Sequence, residues 1–212
     1  MTTWVRKSFR VGLAALAAAA LITTAPKGQA RDGIGDIVRV EQDWEIVVGA
    51  PNPTQCSPQL FIMLYPVSGG DYSCQFLVNY ADQPSFSAGG VQLQIWQSNT
   101  VLDGHDNCPN QAILQQANET VTFTLSMQIS GSNLEFKAQN VSSPSFGDIA
   151  NLDANVSYDP TATFNNYSSA DSVNNSGILY GANRVASLTL KQVRKYDANG
   201  NMVTEDAQQV FP

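Results

Sequence analysis

The sequence predicts an all-β protein: a two-sheet antiparallel sandwich of jelly-roll type with at most one short helix. Three observations carry this. Apolar and polar residues alternate with period two in segment after segment. Gly-, Asn- and Ser-rich turn signals separate those segments. Most segments have one apolar and one polar face, which is economically satisfied by two sheets packed face to face.

The first strand is expected over residues 38–48, with Val40, Trp44, Ile46 and Val48 on one face and Glu41, Asp43 and Glu45 on the other. So close to the start of the folded chain, an outer or edge position is expected. Residues 60–67 form a nearly continuous apolar run, as in a central strand. Ser68-Gly69-Gly70-Asp71 then turns into a strand over residues 72–80. Over residues 91–97, Val91, Leu93 and Ile95 point inward, and Gln92, Gln94 and Trp96 outward. Val121, Phe123, Leu125, Met127 and Ile129 form the inner face of the next strand. Gly131-Ser132-Asn133 leads from it into residues 134–138, making a hairpin. The last long strand covers residues 187–196. Asn199-Gly200 is a two-residue hairpin signal that needs positive φ, and residues 202–204 return along it. A helix is expected only over residues 109–117, where Pro109 suits the first helical position. Residues 151–177, polar and rich in Asn and Ser, read as a long surface excursion with room for short strands.

Residues 1–30 read as a cleaved signal peptide. Arg6, Lys7 and Arg10 begin it, an apolar run follows over residues 11–22, and Gly28-Gln29-Ala30 suits a signal peptidase. That run is too short to span a bilayer, which takes about 20 residues. The expected destination is the medium, the periplasm or the cell surface. Residues 31–212 then form a single β-sandwich domain with no transmembrane segment. All four basic residues of the leader leave with it, taking the formal charge from −7 to −11. Such an acidic surface repels phosphate backbones and argues against nucleic-acid binding. Charged residues are only 14% of the chain, so amides and hydroxyls fill most polar positions.

Cys56, Cys74 and Cys108 are the only cysteines. Export permits disulfides, and an odd count allows at most one internal bridge. Cys56–Cys108 is the favoured pair because both lie in loop-like segments. Cys74 is in phase with Phe76 and Val78 and reads as a buried apolar residue.

Two groups of segments carry a family resemblance. One is Glu41-Gln42-Asp43-Trp44-Glu45 with residues 89–96; the other runs from Val173 through Asn175-Ser176-Gly177 and residues 181–185 to residues 188–196. Together they resemble a group of uncharacterised bacterial secreted proteins, similar in outline to the concanavalin A-like lectin and glucanase sandwiches. The resemblance implies a fold and a location, and names no activity.

Three constellations are candidates for chemistry. Glu41, Asp43 and Glu45 make an E-x-D-x-E run similar to the catalytic motif of laminarinases and lichenases. A retaining glycosidase needs two carboxyl groups about 5–5.5 Å apart. Strand rise separates the Glu41 and Glu45 backbones by roughly 13 Å, so both side chains would have to lean over Asp43. The plainer alternative is a charged solvent face that blunts an edge. The second constellation is an amide-rich patch with one indole: Gln75, Asn79, Gln92, Gln94 and Trp96. If their two strands are neighbours, this surface suits glycans, whose hydroxyls meet amides and whose C–H faces meet aromatic rings. The third is Asp103, Asp106 and Asn107, read as a loop that could supply two or three calcium ligands but is more simply a turn. His105 is the only histidine, so a histidine zinc site is excluded. Asp197-Ala198-Asn199-Gly200-Asn201 begins like a calcium loop, but lacks Gly at the sixth position and Glu at the twelfth.

The expectation is therefore an exported protein without enzymatic activity or cofactor, binding glycans or cell-surface polymers. A glycoside hydrolase using Glu41 and Glu45, and a purely structural envelope protein, are the alternatives.

Overall fold

The structure, a computed structural model, describes residues 35–50, 58–67, 70–80, 89–107, 114, 116–205 and 208–211. The expected signal peptide over residues 1–30 and the expected Cys56–Cys108 bridge lie outside the described residues, as does most of the expected helix over residues 109–117. In chain order the elements are β1 (Ile37–Val48), β2 (Gln59–Leu64), β3 (Tyr72–Val78), β4 (Val91–Gln97), β5 (Thr100–Asn107), β6 (Glu119–Ser130), β7 (Asn133–Ser143), β8 (Gly147–Ile149), β9 (Leu152–Ser157), α1 (Ser169–Asn175), β10 (Gly177–Tyr180), β11 (Val185–Asp197), β12 (Met202–Glu205) and β13 (Gln208–Phe211).

Among the described residues these strands form two antiparallel sheets, the all-β sandwich expected. The larger runs β12-β11-β1-β6-β7-β8, with β13 also on β11 and β9 also on β7. The smaller runs β10-β2-β3-β4-β5. The chain leaves the larger sheet after β1, builds β2 to β5 as a meander, returns for β6 to β9, and crosses again for β10. β1 lies between β11 and β6, so it is central and not the outer strand its early position suggested. Sequence order does not decide sheet order: the C-terminal β11 returns to pair with β1.

Alternation puts one face of each strand into a shared core. Val40, Ile46 and Val48 from β1 are fully buried, as are Val91, Leu93 and Ile95 from β4. Phe76 of β3 and Phe123 of β6 meet between the sheets with ring centroids 4.8 Å apart. Burying each such side chain contributes about 1.5–3 kcal/mol. Cys74 is buried among them, as expected, and burial pushes its thiol pKa well up.

One polar residue enters this core from β1. Gln42 is fully buried; its Oε1 accepts from Trp44 Nε1 at 2.8 Å and its Nε2 donates to the Tyr167 hydroxyl. Ser172 of α1 lies 3.4 Å from that hydroxyl. The network satisfies groups that would be costly if left bare.

Local departures from expectation have local causes. The apolar run after residue 60 ends as a strand at Leu64, two residues before Pro66, which cannot donate to a ladder. The surface excursion over residues 151–177 contains the short strand β9, which that reading allowed, and the helix α1, which it did not foresee. Ser168 caps α1, its hydroxyl accepting from Asp171 N–H, and the buried positions of α1 are Ser169 and Ser172. Serines on the inner face hide the usual apolar stripe. Leu114, Gln116 and Ala117 of the expected helical region lie in turns or bends. The β6–β7 hairpin closes at the expected turn, with Gly131 at φ +59°.

The β11–β12 hairpin differs from the two-residue loop expected. Gly200 N–H donates to Asp197 O and Asp197 N–H to Asn201 O, with Gly200 at φ +82°. This is a three-residue loop, a turn followed by one left-handed residue. The Asp197 carboxylate collects N–H groups from Gly35, Asn199 and Asn201 and the Asn201 side-chain amide, all at 2.8–3.0 Å. These donors, Gly35 first, lower its pKa to about 2. The segment is a hairpin clasp that holds residue 35.

Two predictions follow from the packing. Gln42→Leu strands the Trp44 N–H and is expected to cost about 1–3 kcal/mol in urea unfolding with an unchanged m value. Asp197 favours folding at pH values above the ordinary carboxylate range. That contribution falls away between about pH 4 and pH 2, where the unfolded chain takes up the proton first. Thermal unfolding followed against pH should show a flatter acid limb in Asp197→Asn.

Candidate functional site

The outer faces of the two sheets differ in chemistry. On the larger sheet, Glu41, Asp43 and Glu45 stand side by side along β1, as alternation required, and the neighbouring strands neutralise them. Arg194 of β11 donates Nε to Glu41 Oε2 at 2.9 Å and Nη2 to Asp43 Oδ1 at 2.8 Å, while its Nη1 also bonds Asp43. Thr124 of β6 donates to Asp43 Oδ1 at 2.8 Å, and the Tyr196 hydroxyl to Glu41 Oε2 at 2.9 Å. Lys191 bonds Glu45 at 3.1 Å. Arg39 stacks over the Tyr196 ring, 3.8 Å from its centroid.

Arg194 holds the Asp43 carboxyl below its ordinary range, with the Thr124 hydroxyl assisting against the opposing effect of burial. Asp43 and Glu41 in turn push the guanidinium further from losing its proton. A retaining hydrolase needs one neutral carboxylic acid and one available nucleophile. Here Glu41 and Glu45, the two candidate groups, are each bound to a cation. A hollow of about 270 Å³ lies over Asp43, Glu45, Thr122, Thr124 and Lys191. It is floored by this paired network.

The smaller sheet carries the amide patch. β3 and β4 are direct neighbours, the condition on which that patch depended. Gln75 faces Gln94, and Ser73 faces Trp96. Gln92 stands opposite Leu77, whose side chain is buried. Met63 of β2 faces Gln75 from the other side. Met63, Ser73, Gln75, Trp96 and Ser98 line a hollow of about 270 Å³. Trp96 is half-buried, and its indole N–H is buried with no hydrogen-bond partner among the described residues.

Asn79 does not belong to this surface. It follows β3 in the left-handed region at φ +61°, which reverses its side chain, and it is fully buried. Its Nδ2 donates to Pro58 O at 2.9 Å and its backbone N–H to Gly90 O at 2.6 Å. It pins the chain at the sheet's end.

Asp103, Asp106 and Asn107 lie on the edge strand β5, not in a loop. The register places Asp106 opposite outward Gln92 and Asp103 opposite inward Ile95, so the two carboxylates leave opposite faces. Tyr80 donates to Asp106 Oδ2 at 2.5 Å, and Asn155 N–H of β9 to Asp103 Oδ2 at 2.8 Å. His105 Nδ1 contacts Asp153 O. Asp103 and His105 therefore join β5 to β9, bridging the two sheets at one edge. Among the described residues no group of three His, Cys, Asp or Glu side chains could hold a metal ion.

Sequence reasoning missed Arg194, Met63, Ser73 and Ser98. Arg194 and Glu41 are 153 residues apart, and only the β1–β11 register reveals their partnership. No family model matches the chain, and no curated protein matches it. No helix among the described residues is long and apolar enough to cross a membrane.

If Arg194 holds the acidic row, Arg194→Met should raise the Asp43 pKa toward the ordinary carboxylate value. Carboxyl-carbon NMR titration of both proteins would show the shift.

Proposed function

We propose that this protein is an exported, non-catalytic binding module, and that its ligand is a glycan or another hydroxyl-rich cell-surface polymer. The single observation that carries this reading is the β3–β4 register, which gathers Ser73, Gln75 and Trp96 at one hollow and sets Gln94 beside Gln75. Amides both donate to and accept from hydroxyl groups, so they can satisfy a sugar oxygen in either role. The indole offers an apolar surface for C–H groups. Concave sites with a few convergent polar groups are where small ligands and polymer segments bind.

Export rests on the leader at residues 1–30 and agrees with the secreted proteins that the chain resembles. A hydrolase acting through Glu41 and Glu45 gains no support from carboxylates committed to Arg194 and Lys191.

The test is binding of the protein to a panel of immobilised polysaccharides, beside Trp96→Ala. Retention on at least one glycan, weakened tenfold or more in Trp96→Ala, is the expected result; a tenfold loss corresponds to about 1.4 kcal/mol. Retention that is indifferent to Trp96 would move the site elsewhere.

A further inference from the structure

The outer face of the smaller sheet can be read as a grid from its pairing. One row across the strands is Ser73, Trp96, Val101; the next is Met63, Gln75, Gln94, Gly104; the third is Phe61, Leu77, Gln92, Asp106. The first two rows contain no ionisable side chain. The third has one, Asp106, at the sheet margin and already bonded to the Tyr80 hydroxyl. The larger sheet's outer face is the opposite, with Glu41, Asp43, Glu45, Lys191 and Arg194 on it.

Gly104 ends the middle row. A Cβ at this position would stand 2.9 Å from Leu93 O and 3.0 Å from Gln94 Cγ, closer than real side chains come. β5 therefore adds no side chain to that row. The row is open at the sheet edge, between Val101, which is 40% exposed, and Asp106. With strands about 4.8 Å apart, four positions span about 15 Å, the reach of a short oligomer and not of one ring.

Resting on the binding role proposed above, we infer that the ligand is an uncharged polymer that lies across the strands along Met63, Gln75 and Gln94 and runs off the sheet over Gly104. A charged ligand must exchange water for a counter-charge when it is desolvated. The middle row provides none of either sign. The chain's net negative charge opposes anionic polymers further.

The experiment titrates the protein with neutral oligosaccharides of increasing length (β-glucan, mannan and dextran series), with alginate and hyaluronan oligomers, and with chitosan oligomers. It is done at low and high salt, following heat and the Trp96 indole N–H resonance. A neutral series should bind with affinity that rises over the first few rings and is indifferent to salt, and the indole resonance should move. Gln94→Glu, nearly isosteric, should weaken that binding tenfold or more. Gly104→Val should weaken the longer members selectively, and its thermal midpoint shows whether it folds.

Trp96-dependent binding that prefers a charged series and fades with salt overturns this inference while leaving the binding role intact. Binding as tight for a monosaccharide as for an oligomer, or unchanged in Gln94→Glu, overturns the path along the row. Failure of every series to bind overturns both readings.

Discussion

Backbone ladders run along both sides of β1, to β11 and to β6, over nearly its whole length. A strand held in this way cannot slip by one residue without turning every side chain to the wrong face. Its inward set is Val40, Gln42, Trp44, Ile46 and Val48, all buried. Its outward set is Glu41, Asp43 and Glu45. Gln42 is a polar check on that register, because a one-residue slip would part it from Tyr167 and bring Glu41, Asp43 and Glu45 into the apolar core. The larger sheet, its buried network with Tyr167, and the neutralised acidic row all depend on this one placement.

The two sheets then divide the polar chemistry between them. The larger sheet carries opposite charges at cross-strand positions, where pairing between neighbours stabilises modestly and depends on salt. Arg194 is the exception in strength, because its planar fork meets Asp43 with two nitrogens while a third reaches Glu41. The smaller sheet carries amides, a hydroxyl and an indole whose valences are not all filled from within. A face whose carboxylates are already paired has little left to offer a ligand. A face of amides beside a half-buried indole has capacity to spare.

Much of the architecture was legible in the residues because alternation is a local signal. The strands at residues 91–97 and 121–129 emerge with their inward sets as read, and Gly131 takes the positive φ its turn needs. The departures occur where a local signal was absent or ambiguous. α1 buries serines, so no apolar stripe announced it. Asp103 to Asn107 is polar enough to read as a loop, yet it completes a sheet edge by pairing with β4 and by reaching β9 through side chains. Asn79 kept the phase of β3 on paper, but one left-handed residue sent it into the interior.

The sequence by itself determined the class of the fold and which face of each strand would be dry, because burial alternates with chain position and needs no knowledge of neighbours. It also put Gln75, Gln92, Gln94 and Trp96 on outward faces. Only the tertiary structure decided that β1 is central, that Arg194 closes over Glu41 and Asp43, and that Gln75 and Gln94 stand opposite one another beside the Trp96 indole. Those facts are sheet order and register. They arise from ladders between segments far apart in the chain, and no pattern within one segment encodes which distant segment will lie beside it.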